Sequence, residues 1–209
     1  MKKIRLIVNA LSLAGIVVFL TACSGIVIQD PIEPRLPKYT EDGNNAAGAF
    51  VDGEVWRSVV KVEFLGSHYD PYVRAWPGKD SLLVIFSGSM AERDYTVAFR
   101  LKGYKVSVLD DLLALDGKKI ELDGVVNAGY WMPGYSLPMG TGKGVGQIYF
   151  KKVKKMGSPG LLILSGTFGF RLPKPDGGSI SVSSGRFDYR ISEVENAELY
   201  SDAGGLQEH

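Results

Sequence analysis

Cys23 is the only cysteine in the 209 residues, and His68 is the only histidine away from the C-terminus. A lone thiol forms no intramolecular disulfide, and zinc would have to be held largely by carboxylates. His68 stands in Gly66-Ser67-His68-Tyr69-Asp70 and titrates near neutrality, so it is the first candidate for general-base chemistry. A hydrolase would need it beside a serine nucleophile and an orienting carboxylate. No Gly-x-Ser-x-Gly elbow occurs, and the clusters Ser87-Gly88-Ser89 and Ser183-Ser184-Gly185 read as turns. Gly140-Thr141-Gly142-Lys143-Gly144 invites a phosphate-loop reading and fails it. Leu137 occupies the first required glycine, Gly144 replaces the Ser or Thr, and a strand pattern follows where a helix is needed. Asp110, Asp111, Asp116, Glu121 and Asp123 lack EF-hand spacing and read as a solvated face, so no cofactor or metal is expected. Paired carboxylates would serve a glycosidase, but nothing in the spacing singles out a pair.

Binding is the better-supported chemistry. The stretch from Ala128 to Gly140 contains Tyr130, Trp131, Tyr135, Met132 and Met139 among glycines and prolines, with neither strand nor helix period. An exposed aromatic loop of this kind is a stacking platform, and methionine makes it adaptable. Trp76 would extend it and Arg74 would be its polar anchor. The competing expectation is that the loop folds back over an open end of the domain. Lys151, Lys152, Lys154 and Lys155 suit anionic lipid or glycan head groups, or simply blunt a strand edge. Three readings follow. The first is a non-enzymatic binding module for glycan, peptide or partner protein. The second is a structural envelope component that pairs through a sheet edge. The third, an enzyme using His68 or paired carboxylates, trails both.

The elements that must position these residues are strands. Asp52-Gly53 lies between the apolar pairs of Ala49–Val51 and Val55-Trp56, a hairpin signal. Leu82 to Phe86 is a continuous apolar run, as in a strand covered on both faces. Tyr95, Val97, Phe99 and Leu101 alternate with polar or small residues, and Phe187, Tyr189 and Ile191 share one face of a last strand. Strands are also predicted over 145–153 and 161–172. One short helix is predicted near 108–115. The fold class is all-β, a mostly antiparallel sandwich or partly open barrel over 48–195, with a flexible tail over 196–209.

The N-terminus has a different character. Lys2, Lys3 and Arg5 precede an apolar run from Leu6 to Leu20, too short to span a bilayer as a standard helix and suited to a signal peptide. Leu20-Thr21-Ala22-Cys23 resembles the bacterial lipobox. The resemblance implies cleavage after residue 22, acylation of Cys23 and anchorage in a membrane. Ser24, in place of an aspartate, implies the outer membrane. Pro31, Pro34 and Pro37 recur every third residue, which predicts a semi-rigid tether over 23–47. Removing residues 1–22 takes away three bases and no acid, so the formal charge of +1 becomes −2, which excludes a general nucleic-acid partner.

Two pieces of the domain also resemble the uncharacterised lipid-anchored all-β families of Bacteroidota. One is Phe50-Val51-Asp52-Gly53-Glu54-Val55-Trp56. The other is the pair Ser165-Gly166-Thr167-Phe168 and Gly185-Arg186-Phe187. The resemblance implies an all-β fold and carries over no catalytic residue. On their own, Trp56, Phe168 and Phe187 read as core, and Gly166 and Gly185 as markers of bulges or strand starts.

Overall fold

A computed structural model describes residues 30–58, 61–63, 66–68, 72–76, 79–134, 142–174 and 176–200. Residues 1–29, which include Cys23 and the expected signal segment, and Tyr135 and Met139 lie outside the described residues.

The sequence forms strands β1 (Ala46–Val51), β2 (Glu54–Ser58), β3 (Lys61–Glu63), β4 (Gly66–His68), β5 (Tyr72–Trp76), β6 (Ser81–Met90) and β7 (Arg93–Lys102). After a 3-10 helix (Leu109–Leu115) come β8 (Lys118–Asp123), β9 (Ala128–Pro133), β10 (Val145–Lys155), β11 (Leu161–Pro173), β12 (Ser179–Ser192) and β13 (Ala197–Leu199). Eleven of these strands make one sheet in the order β13-β5-β6-β2-β1-β12-β11-β10-β8, with β7 paired to β6 and β9. β3 and β4 form a separate hairpin. All pairings are antiparallel except β13 on β5. The sheet is curled and open, a half-barrel, so the barrel form of the expected all-β fold is the one adopted. Gly129 and Gly144 exchange both backbone hydrogen bonds, which draws the β9 edge toward the start of β10.

Local chemistry explains the elements. Asp52 and Gly53 both have positive φ (50° and 89°), as the tight turn between β1 and β2 requires. The apolar run of β6 is buried on both faces: Leu82, Val84 and Phe86 point into the main core, and Leu83 and Ile85 into a second cluster on the outside. The helix at 109–115 is a 3-10 helix rather than an α-helix. Leu109, Leu112 and Leu115 are its buried residues, and a spacing of three matches three residues per turn. These leucines join the main core.

That core is filled by rings. Phe86 lies within 6.1 Å, centroid to centroid, of Phe99, Phe168, Phe187 and Tyr189. The expected core residues Trp56, Phe168 and Phe187 are all buried. Glycines make room for them. A methyl added at Gly185 would stand 2.3 Å from the Phe168 ring, and one at Gly166 would stand 2.6 Å from Phe187. Real carbon contacts do not come so close, so at both positions any side chain would have to displace an aromatic ring. Curling the sheet around large rings therefore depends on inward positions that carry no side chain.

The folded unit is wider than 48–195. Residues 30–45 lie on the outer face of the sheet instead of holding it at a distance. Leu36 is buried, and Arg57 donates two hydrogen bonds to the Arg35 carbonyl. At the other end Asn196 is buried and residues 197–199 form β13, so the segment predicted as flexible is structured as far as Tyr200.

Candidate functional site

The residues expected to form an aromatic binding loop are mostly packing residues. Tyr130 and Trp131 belong to strand β9, where alternation sends them to opposite faces. Tyr130 is buried with Leu83, Ile85, Ala98 and Ala128, and Trp76 and Met132 pack on the same cluster. Burial pushes the Tyr130 hydroxyl above its ordinary pKa, against a smaller opposing effect of Arg100. Trp131 stacks on Tyr95 at 4.5 Å and meets Trp56 edge-on at 6.3 Å. The Gly/Pro-rich composition of 128–134 hid an ordinary strand. Arg74 and Trp76 are engaged by the chain's own C-terminal segment. Arg74 Nε lies 2.8 Å from a Glu198 carboxylate oxygen, and the Trp76 ring stacks parallel to Tyr200 at 5.4 Å. Of these five residues four are used in packing, and Tyr135 lies outside the described residues. His68 falls in the small β3–β4 hairpin. Among the described residues no group of His, Cys, Asp or Glu is placed to hold a metal.

The structure instead forms a hollow on the outer face of β10, β11 and β12. Its volume is about 530 Å³. Gln147 and Lys151 come from β10, Thr167 and Gly169 from β11, and Ser184 and Arg186 from β12, while Tyr39 reaches over from the N-terminal segment. The hollow originates in the ladder. Between Phe168↔Gly185 and Phe170↔Val182, the two residues Ser183 and Ser184 of β12 oppose the single residue Gly169 of β11, which is a β-bulge. Ser184 takes a left-handed φ of 52°, a strained conformation for a residue with a side chain. A methyl at Gly169 would meet only the Val182 carbonyl, so the floor is bare backbone. The Ser-Ser-Gly cluster that reads as a turn in the sequence is thus a bulge within a long strand.

Four interactions fix the walls. The Lys151 ammonium sits 4.3 Å from the centre of the Tyr39 ring, a cation–π contact. Arg186 pairs with Asp30 and donates to the Pro37 carbonyl. The Tyr39 hydroxyl donates to Glu41 at 2.9 Å, and burial together with that acceptor pushes its pKa far up, so it stays neutral.

Asp188 holds this segment in place from below. Its carboxylate is buried and accepts from the hydroxyls of Thr40 and Ser165 and the backbone N–H groups of Asp42, Gly43 and Asn44. Burial alone would raise its pKa, but the hydrogen bonds from Ser165, Thr40, Asn44 and Gly43 outweigh it and hold the group below the usual carboxylate range. From strand alternation Asp188 is placed only on the face opposite Phe187, Tyr189 and Ile191, with Arg186 and Arg190. Four of its five donors lie some 145 residues earlier, and no local pattern announces them.

A second hollow, of about 470 Å³, is lined by Asn45, Pro159, Arg190 and Asn196 among others. It has no aromatic wall. Its two asparagines are occupied with the backbone: Asn45 accepts from Arg190, and Asn196 bonds Ser192 and Arg190. The β10–β12 hollow is the better ligand site. It offers an aromatic ring, two cations, an amide and the hydroxyls of Thr167 and Ser184 around a bare floor, and its lining has no carboxylate or histidine to serve as a general base. No family model, curated protein or solved structure matches this chain.

Proposed function

We propose that this chain is a lipid-anchored cell-envelope protein, held in the outer membrane through acylated Cys23, that binds a glycan as a non-enzymatic module. The lipobox-like Leu20-Thr21-Ala22-Cys23 supports the anchor. The observation that carries the binding is the hollow over the bulge at Ser183-Ser184. Its volume falls in the range of about 300–1,000 Å³ usual for small-ligand sites. An aromatic wall at Tyr39 suits the apolar face of a sugar ring, while Gln147, Thr167 and Lys151 suit hydroxyl or acidic substituents. The half-barrel itself is filled by rings, which moves recognition to its outside.

The test is a glycan array probed with the full lipidated chain in detergent. Lys151→Ala should weaken binding about tenfold, equivalent to about 1.4 kcal/mol, and Gln147→Ala by a similar factor. Absence of any glycan ligand, or equal binding by the Lys151 variant, would defeat the proposal.

One observation favours a second reading, assembly through a sheet edge. β8 ends the strand order and is paired only with β10 along its length. Against this reading, Lys118 and Lys119 are exposed on that strand, a charge pattern that discourages edge-to-edge pairing.

A further inference from the structure

Water-exposed large apolar side chains are few among the described residues, and three of the six lie together at one end of the sheet. Val125 is 72 % exposed, Val126 46 % and Val145 54 %. Val125 and Val126 sit in the turn between β8 and β9. Val145 opens β10 directly beside it: a methyl added at Gly124 would lie 3.1 Å from the Val145 side chain. A loose turn would fold such side chains away from water, but this turn is braced. One Asp123 oxygen accepts from the N–H groups of Val125, Val126 and Asn127 at 2.7–3.0 Å. Gly124 N donates to the Asn127 carbonyl, the Asn127 side chain bonds Lys102 N and the Glu121 carbonyl, and Arg100 donates to the Val125 carbonyl. The valines are held out into solvent by a rigid frame.

The charges around them are mostly positive. Arg100 and Lys102 bond the turn, Arg171 is directly opposite Val145 in the ladder, and a methyl at Gly124 would lie 3.6 Å from the Lys143 carbonyl oxygen. Of the acids here, Asp123 is consumed by the turn, Glu121 is exposed on β8, and Asp80 is exposed next to Ser81, the ladder partner of Lys102. Val108 and Val194, also exposed, belong to the opposite end. There Asp110, Asp111, Glu193 and Glu195 surround them in the chain, and Lys155 is paired with Asp110.

We propose that the Val125-Val126-Val145 tip docks onto an anionic membrane surface, inserting its valines at the head-group boundary while the exposed Lys102, Lys143 and Arg171 contact lipid phosphates. This rests on the Cys23 anchor proposed above. The length of chain between them allows it. Seven residue steps separate Cys23 from Asp30 and span at most about 25 Å. Asp30 is pinned to Arg186 on β12. From there the tip is five residues along the strand and two strands across, because Arg186 leads to Ser181, then Arg171, then Val145 in the register. That is about 20 Å at roughly 3.3 Å per residue and 4.8 Å per strand. A domain resting on its tip therefore keeps Asp30 within reach of the anchor. Small apolar anchors combined with basic residues add the second membrane signal that stable, oriented attachment needs.

The test uses the full chain, matured in cells and reconstituted through its anchor into phosphatidylethanolamine–phosphatidylglycerol vesicles. Because Cys23 is acylated in this reading, Val125→Cys and Val194→Cys each carry one free thiol for a polarity-sensitive fluorophore. The label at 125 should shift to the blue and be quenched by brominated lipid, and the shift should shrink when phosphatidylcholine replaces phosphatidylglycerol. The label at 194 should report water throughout. Vesicle-bound chain with no shift at 125, or with equal shifts at both positions, overturns the tip and leaves the anchor intact. If the unsubstituted chain takes the label and does not float with vesicles, the anchor fails and the tip proposal fails with it.

Discussion

The two ends of the described chain look alike in sequence and are held by opposite means. Residues 30–45 and 196–200 are both polar, with little apolar periodicity, and both lie against the sheet. The N-terminal segment is held by charge buried under it: Asp188 gathers five donors, and Arg186 pairs with Asp30. The C-terminal segment is held by backbone and rings, with one partly exposed ion pair between Glu198 and Arg74. β13 adds a parallel strand to β5, Tyr200 N donates to the Ala75 carbonyl, and the Tyr200 ring covers Trp76. The first device puts much of its energy in one group, whereas the second spreads it over many weak contacts. The first also shapes the candidate site, because Tyr39 is one residue from Thr40.

The largest effect is expected at Asp188. Asp188→Ala strands two hydroxyls and three backbone N–H groups in a buried place, and hydrogen bonds to a charged group are the costly ones to lose. A loss of at least about 3 kcal/mol is expected, read from the urea midpoint at unchanged slope. Limited proteolysis should then cleave within 30–45 first. If stability holds within about 0.5 kcal/mol, the level of an ordinary surface change, the charge-based account of this end is wrong.

The same group gives the N-terminal segment a pH dependence. The Asp188 carboxyl is held below its ordinary value in the fold. Its contribution is therefore present in full above the unfolded value of about 3.9 and is lost as pH falls through the lower folded value. Asp52, Asp116 and Asp123 are lowered too, chiefly by backbone N–H groups, and add to acid sensitivity elsewhere. Between pH 5 and pH 3 the protein should lose stability, and Asp188→Asn should flatten part of that slope. Hydrogen exchange at Gly43 and Asn44 should accelerate over that interval before exchange at Val73 does. Simultaneous acceleration would mean that both ends open in one step.

The strands were legible because their signals are local. The Asp52-Gly53 turn, the doubly buried run of β6 and the alternation in β7 and β12 each follow from a few adjacent residues. The helix was legible in position but not in type: apolar residues at 109, 112, 113 and 115 fit either helical period, and burial of 109, 112 and 115 selected the tighter one. The site was much less legible. Tyr130 and Trp131 drew attention by composition, yet alternation in β9 commits one to each face. Lys151 was read as a strand-edge charge, which does not show that Tyr39 would lie over it. The bulge at Ser183-Ser184 depends on Gly169 in the neighbouring strand, and four of the five donors to Asp188 come from more than a hundred residues away. What sequence reading missed is pairing across distance, and both terminal segments are made of it.

The smallest of these effects tests the C-terminal end. Tyr200→Ala removes a parallel ring pair, and such pairs contribute about 0.5–1.5 kcal/mol beyond area burial. Tyr200 also donates to Glu198, which in turn faces Arg74, so the single substitution disturbs two contacts. A double-mutant cycle with Trp76→Ala separates them. If stacking is what matters, the coupling energy between 76 and 200 should approach the loss in Tyr200→Ala alone. If the Glu198 hydrogen bond matters more, Tyr200→Phe should cost nearly as much as Tyr200→Ala, and the coupling to Trp76 should be small. Either way the total should stay well below the Asp188 effect, because β13 keeps its backbone pairing and the Asn196 side chain still ties its root to Arg190 and Ser192. A Tyr200→Ala loss as large as that of Asp188→Ala would show that the contacts of the C-terminal end are cooperative, and that its weak interactions act as one latch.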